Sequence, residues 1–183
     1  MRLRLWFGTA MLLVQLVMGS SSANTLPAEV RTGLPGATLG ASARITYFGF
    51  DIYDASLWVM PGFSVDDYQR HPFALTLTYR RTFTGESIAK RSVSEMRRQP
   101  GITEPQLAAW DSQMSALFPD VRNGDRLTGI HRPGEGAVFL LNGQAAGAIR
   151  DADFSRRFFG IWLSTQTSDT RLREALTTPV ATR

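Results

Sequence analysis

One stretch, residues 73–98, constrains the fold most strongly, because its hydrophobic period changes once along its length. Apolar residues alternate with Ala, Thr and Arg over residues 73–80, the period of two that turns one face of a strand toward a core. After Thr84, whose hydroxyl can cap the first turn, apolar residues recur at the 3.6-residue spacing of a helix. Pro100 and Gly101 then end the helical pattern. The sequence therefore predicts a strand that runs through a capped turn directly into a helix.

Two further strands are predicted before this joint. A Pro- and Gly-rich segment over residues 26–38 is expected to be an irregular lead-in. Aromatic and β-branched residues then dominate residues 41–60, with a turn near Gly49. The phase of the apolar residues shifts within the second strand, which favours a bulge at Asp54 and Ala55.

After the joint, the order of elements defines the fold class. Thr103 and Gln106 have the spacing of a capping box that opens a second helix. Three strands follow, the last two joined by Asn142 and Gly143, the residue pair typical of a type I′ hairpin turn. Two more helices complete the chain. Strands and helices come in blocks without βαβ alternation, so the sequence predicts an α+β domain whose mainly antiparallel sheet is covered by helices.

The N-terminus has the pattern of a secretory signal. Two arginines precede an apolar run over residues 5–18, and the small residues Ser21 and Ala23 stand where a signal peptidase cuts. The alternative is a retained anchor, but the run contains Gln15 and is shorter than the roughly 20 residues needed to span a bilayer. We therefore expect a signal peptide at residues 1–23, a single domain at 24–183, and export to the periplasm without a stable membrane span.

Composition excludes several classes of chemistry. The chain has no Cys and only two His, so it offers no thiol nucleophile, no disulfide and no metal cluster. Phosphate-binding, zinc-protease and serine-hydrolase motifs are absent, and no cofactor is implied. Loss of the signal would remove two of the four net positive charges, and no basic run is interleaved with aromatics, so nucleic-acid binding is not expected.

Two groups of residues remain as candidates for a site. Arg44 leads into an aromatic strand with Tyr47 and Tyr53, where a guanidinium could hold a carboxylate and the phenols could add hydrogen bonds. The alternative is an arginine at a strand end. The only lysine, Lys90, lies on the predicted helix within a turn of two serines, and its alternative is an exposed helix lysine.

Four segments together carry a resemblance to a known family. They are LGASARITYFGFDIYDASLWV (39–59), TGESIAKRSVSEMRR (84–98), FPDVRNGDRLTGIHRPGEGAVFLLNG (118–143) and FFGIWLSTQTSDTRLREAL (158–176). In order and spacing they resemble the bacterial exported branch of the chalcone isomerase-like proteins, over about residues 36–176. The resemblance implies an open-faced β-sandwich, in which a large antiparallel sheet is covered by helices with a cleft between them.

The resemblance also implies roles for individual residues. In the plant isomerases an arginine holds the reacting oxyanion, and in fatty-acid-binding members an arginine and a tyrosine hold a carboxylate. Arg44 resembles that arginine, and Lys90 resembles a lysine on the first helix. The family's strand threonine falls nearest Tyr53, its helix tyrosine nearest Ser87, and its helix asparagine nearest Ser94.

Those three departures would remove much of the network that polarises a ketone, while leaving an anion site. The leading hypothesis is therefore an exported protein that binds a small, amphipathic, anionic ligand of the fatty-acid type in the cleft. One alternative is an isomerase (intramolecular lyase) acting on a chalcone-like or other substrate. Another is a structural or partner-binding domain with a closed cleft. An open cleft with Arg44 directed into it would favour the first two.

Overall fold

The computed structural model describes residues 25–178, which fold around one six-stranded sheet. Every strand pairs antiparallel with its neighbour in the chain, so the sheet is a simple meander and the predicted antiparallel arrangement is confirmed. The predicted signal peptide lies outside the described residues. The strands are β1 (Thr38–Tyr47), β2 (Phe50–Val59), β3 (Phe73–Tyr79), β4 (Arg126–Arg132), β5 (Gly136–Leu141) and β6 (Gln144–Ile149).

Helices cover the two faces of the sheet unequally. Four helices and the larger apolar core lie on one face, and a single short helix with a smaller core lies on the other. The helices are α1 (Ala28–Gly33), α2 (Gly85–Met96), α3 (Glu104–Leu117), α4 (Ala152–Leu163) and α5 (Thr170–Thr177). Within residues 25–178, none of these helices has the length and apolar content needed to cross a membrane.

Helix α1 corrects the expectation of an irregular lead-in over residues 26–38. Val30 and Leu34 are buried beneath this helix, where they join Trp58 and Ile130 in the smaller core. Burial of such side chains is worth about 1.5–3 kcal/mol each. Tertiary packing therefore stabilises a helix in a segment whose Pro and Gly content argued against one.

The joint between β3 and α2 is confirmed. The apolar residues of β3 are buried against the four-helix face, and the Thr84 hydroxyl accepts a hydrogen bond of 3.2 Å from the Ser87 amide. The opposite face of β3 is also buried at Ala74 and Thr76. Strand β3 therefore lies at the centre of a sheet that is covered on both sides.

The local turn and capping predictions after the joint are also confirmed. Thr103 and Gln106 form a reciprocal capping box at the start of α3. Asn142 and Gly143 have φ values of 50° and 86°, the left-handed conformations of a type I′ turn, and they join β5 to β6. These signals are local, so they do not depend on knowing what packs around them.

The predicted bulge at Asp54 and Ala55 is wrong. Asp54 pairs in register with Arg44, and the register shift falls two residues earlier, where Ile52 is the extra residue on β2. Because of this shift the consecutive residues Ile52 and Tyr53 both lie on the face of the sheet that is covered by four helices. The change of apolar phase does mark a register shift in β2, but the unpaired residue is Ile52.

His131, one of the two histidines, lies in the core on strand β4. It is 1% exposed and packs between Phe73 and Phe159. Its Nε2 donates to the Gln69 carbonyl at 3.1 Å, and its Nδ1 accepts from the Ser155 hydroxyl at 2.7 Å. Burial lowers the pKa of His131, which therefore acts as a neutral structural residue.

Candidate functional site

A cleft of about 730 Å³ opens between the sheet and helices α2, α4 and α5. Its floor comes from β1, β2, β3 and β4, and its walls from the inward faces of the three helices. The interior is apolar, whereas the rim carries hydroxyl and charged groups. The main apolar lining residues are Ile45, Leu77, Leu127, Phe158, Ile161 and Leu172.

Helix α2 supplies the polar wall of this cleft through one of its faces. Ser87, Arg91 and Ser94 follow one another at intervals of four and three residues, which places them on one side of α2, and Arg98 follows in the turn after the helix. All four line the cleft. The strand-to-helix joint fixes where this face begins, because the Thr84 cap sets the start of the helix next to β3.

Three aromatic residues bring polar groups into the apolar interior of the cleft. The Trp162 indole N–H donates to the Tyr53 hydroxyl at 3.0 Å, and the Tyr53 ring packs edge-on against Tyr79 at 5.8 Å between ring centroids. Burial raises the pKa of Tyr53 to about 12 and also raises the pKa of Tyr79. Both phenols are therefore neutral at ordinary pH and can serve as hydrogen-bond donors, not as bases.

The Tyr79 hydroxyl differs from that of Tyr53 in making no hydrogen bond to another residue within residues 25–178, and its oxygen is not among the fully buried atoms that lack a partner there. Tyr79 lines the cleft. Its hydroxyl is not occupied by another residue of the described chain and can hydrogen-bond a polar group in the cleft. Tyr79 is therefore available to donate to a ligand.

The cationic group at the rim is Arg91. Its guanidinium pairs with Glu95 at 2.7 Å and lies 5.9 Å from the centroid of the Tyr47 ring. The Arg91 side chain is 64% exposed, whereas that of Glu95 is 11% exposed. The positive end of this pair thus faces the opening, and the carboxylate lies closer to the wall.

Of the six residues predicted to form the site, Tyr47, Tyr53, Ser87 and Ser94 line the cleft. The first two come from β1 and β2 and the others from α2. The structure therefore brings together residues that are up to 47 positions apart in the chain. Whether they bind a ligand stays a prediction.

Arg44 lies on the opposite face of the sheet. It neighbours Ile45, which lines the cleft, and the alternation of β1 turns the two side chains apart. Its guanidinium pairs with Asp54 at 2.7 Å and Asp51 at 3.2 Å. Partial burial opposes ionisation of Asp54, but hydrogen bonds from Arg44 and Arg80 outweigh this and hold the pKa of Asp54 below its usual value.

Lys90 is also outside the cleft. Its ammonium pairs with Glu86 one turn earlier, and both side chains are about two-thirds exposed. Two conditions were expected to favour a ligand-binding cleft: that it is open and that Arg44 is directed into it. The first is met, because the cleft is open. The second is not, because Arg44 is directed away from the cleft into an ion-pair network. An anion in the cleft would meet Arg91 and Arg98 in place of Arg44 and Lys90.

Sequence reasoning missed Arg91, Arg98, Tyr79 and Trp162 as site residues. The signal for the two arginines was present, because they fall at helical spacing from Ser87 and Ser94. No comparable signal existed for Tyr79, which looked like one more apolar residue of a central strand. Among residues 25–178, no three His, Asp or Glu side chains are arranged to hold a metal ion.

Comparison with known proteins agrees with this architecture. The model of the chalcone isomerase-like family matches residues 28–177. A curated relative, an uncharacterized protein of Haemophilus influenzae, is 28% identical over 137 residues, which cover 74% of this chain and 65% of that protein. The chain thus spans slightly less than two thirds of the length of this relative.

Among solved structures, a fatty-acid binding protein of Arabidopsis thaliana superposes with a TM-score of 0.59 at 10% identity. The superposition covers 78% of this chain and 87% of that one, so the two share a fold. The match to the family model spans most of the chain, including every strand and helix described above. This chain therefore belongs to the chalcone isomerase-like family.

Proposed function

We propose that the cleft binds a small amphipathic molecule with an anionic head, of the fatty-acid type. The observation that carries this proposal is the combination of an apolar interior with arginines on one wall. The volume of about 730 Å³ falls within the range of about 300–1,000 Å³ that is usual for small-molecule sites. The fold shared with a plant fatty-acid binding protein is consistent with this reading.

In this proposal Arg91 receives the anionic head. The guanidinium is paired with Glu95 through one nitrogen, but its side chain is 64% exposed and it has five N–H donors in all. A ligand carboxylate can therefore bind Arg91 beside Glu95 without displacing it. Arg98 adds a second positive charge to the same wall, and Tyr79 offers its free hydroxyl to a polar group held deeper in the cleft.

Arg91→Gln is expected to weaken the binding of a fatty acid by about tenfold, because a hydrogen bond to a charged group contributes about 1.5–3 kcal/mol and Arg91 is partly screened by solvent. Titration calorimetry with fatty acids of several chain lengths would measure the change. Lys90→Gln is the matched control, since it removes one positive charge from the adjacent residue of the same helix but outside the cleft. It should change affinity by less than about twofold.

Arg44→Gln distinguishes the two faces of the sheet in the same titration. We expect affinity within about twofold of wild type, because Arg44 is bound to Asp51 and Asp54 on the far side. A large loss of affinity with Arg44→Gln and none with Arg91→Gln would overturn the assignment of the head-group site.

A separate assay tests the isomerase alternative. Cyclisation of a chalcone by the wild-type protein above the spontaneous rate would support that alternative.

We further propose that the protein acts outside the cytoplasm, in the periplasm, on the basis of the signal pattern at residues 1–23. N-terminal sequencing of the protein recovered from its own host should find a chain that starts near Asn24. An intact N-terminus in the membrane fraction would contradict cleavage. This outcome would leave the ligand site unaffected, since the cleft is built from residues 45–172.

A further inference from the structure

The hairpin that joins β1 to β2 exposes three aromatic side chains at one end of the molecule. Tyr47, Phe48 and Phe50 are 57%, 84% and 55% exposed, and no other large apolar side chains within residues 25–178 are exposed to this degree. We call these three residues the aromatic tip. Tyr47 also lines the cleft, so the aromatic tip borders its mouth.

The turn at the aromatic tip is unfavourable for the residue that occupies it. Phe48 and Gly49 have φ values of 48° and 77°, nearly the same as the 50° and 86° of Asn142 and Gly143 in the second hairpin. Asn tolerates the left-handed conformation of this turn, whereas a bulky side chain does not. The one aromatic contact of Phe48 is with Tyr47, at 4.5 Å between centroids. Neither turn geometry nor internal packing therefore explains a phenylalanine at this position.

Cationic side chains surround the aromatic tip. The Arg81 guanidinium stacks 4.2 Å from the centroid of the Phe50 ring and makes no ion pair within the described part of the chain. Arg91 lies beside Tyr47 and pairs with Glu95, Arg44 pairs with Asp51 and Asp54, and Arg80 pairs with Asp54. Arginines thus outnumber carboxylates, and Arg81 is the cation left without an acidic partner.

We propose that the aromatic tip docks onto the surface of a lipid bilayer that contains anionic headgroups. Tyrosine favours the headgroup region because its ring is apolar and its hydroxyl is polar, exposed Phe side chains can insert at the boundary between headgroups and acyl chains, and an adjacent arginine can meet a lipid phosphate. Each of the three side chains can bury at most about 150–250 Å² of surface. Even together they bury less than the roughly 800 Å² that each partner buries in a stable protein interface.

Docking at this point would place the mouth of the cleft against the membrane. An amphipathic molecule could then pass between bilayer and cleft along Tyr47 without crossing bulk water. This route rests on the proposed function, whereas docking itself does not. The two are separable because Phe48 does not line the cleft.

Phe48→Asn is the substitution that tests docking, since it copies the turn of the second hairpin. Protein from the native host, with its N-terminus determined, would be sedimented with phosphatidylcholine vesicles that do or do not contain phosphatidylglycerol. We expect wild type to bind the anionic vesicles, and Phe48→Asn to weaken binding by about tenfold or more. The melting temperature should not fall, and a rise of about 2–4 °C is expected because the turn is relieved of strain.

Two further measurements separate the possible outcomes. Arg81→Gln should weaken binding only to vesicles that contain phosphatidylglycerol, by about fivefold. Fatty-acid affinity in the absence of vesicles should be the same for Phe48→Asn and wild type, so failure of docking and failure of ligand binding are distinguishable. The docking proposal is overturned if the wild-type protein binds neither kind of vesicle, or if Phe48→Asn binds the anionic vesicles as tightly as wild type does. It is also overturned if the aromatic tip proves to mediate a dimer that Phe48→Asn abolishes while vesicles are not bound.

Discussion

Trp110→Ala is expected to lower the free energy of unfolding by about 3–5 kcal/mol, as measured by denaturant melts. Trp110 is 2% exposed at the centre of α3, where its ring packs against Phe154 at 5.9 Å between centroids. Its indole N–H donates at 2.9 Å to Asp151, whose other carboxylate oxygen caps the first turn of α4. The substitution therefore leaves a large cavity and removes a hydrogen bond that ties α3 to α4.

Trp110→Phe separates these two contributions. It keeps most of the buried ring but cannot donate to Asp151, so a smaller loss of about 1–3 kcal/mol is expected. A loss below about 1 kcal/mol for Trp110→Ala would mean that α3 does not bury this face.

Gly85→Ala should destabilise the protein by about 3 kcal/mol or more, although alanine is normally the better helix former by about 1 kcal/mol. A Cβ at Gly85 would lie 1.9 Å from the carbonyl oxygen of Phe118 and 2.7 Å from its carbonyl carbon. These are backbone atoms at the end of α3, so the clash cannot be relieved by a rotamer change. The start of α2 would have to move away from α3.

Lys90→Ala is the control on the same helix. Its side chain is exposed and makes only the pair with Glu86, so a change within about 0.5 kcal/mol is expected. Chemical denaturation of both variants would measure the contrast. Equal stabilities for Gly85→Ala and wild type would mean that the α2 and α3 termini are farther apart than described.

Much of the fold followed from local patterns in the sequence. The change of period near Thr84, the capping box at Thr103 and the Asn142 turn each depend on a few neighbouring residues, and each is present in the structure. Helix α1 did not follow, because its stability comes from packing on a distant surface that includes Ile130. The bulge was displaced because the apolar phase marks a shift without marking which residue is unpaired.

The site was harder to predict than the fold for a physical reason. An alternating strand shows that its two faces differ, but here both faces of the sheet are covered, and alternation alone cannot tell which face carries the cleft. Arg44 and Ile45 are adjacent, yet they lie on opposite faces. Helix α2 has only one face toward the sheet, so Ser87 and Ser94 line the cleft and the same spacing points to Arg91.

We propose that this cleft holds a small amphipathic anion. Native mass spectrometry of the protein purified from its own host tests this claim most directly, with the protein denatured afterwards to release any bound molecule. We predict a complex that carries one small molecule with an apolar chain and a carboxylate, whose occupancy falls in Arg91→Gln and not in Lys90→Gln. A wild-type protein that carries no small molecule, and that binds no fatty acid in calorimetry, would contradict ligand binding in the cleft.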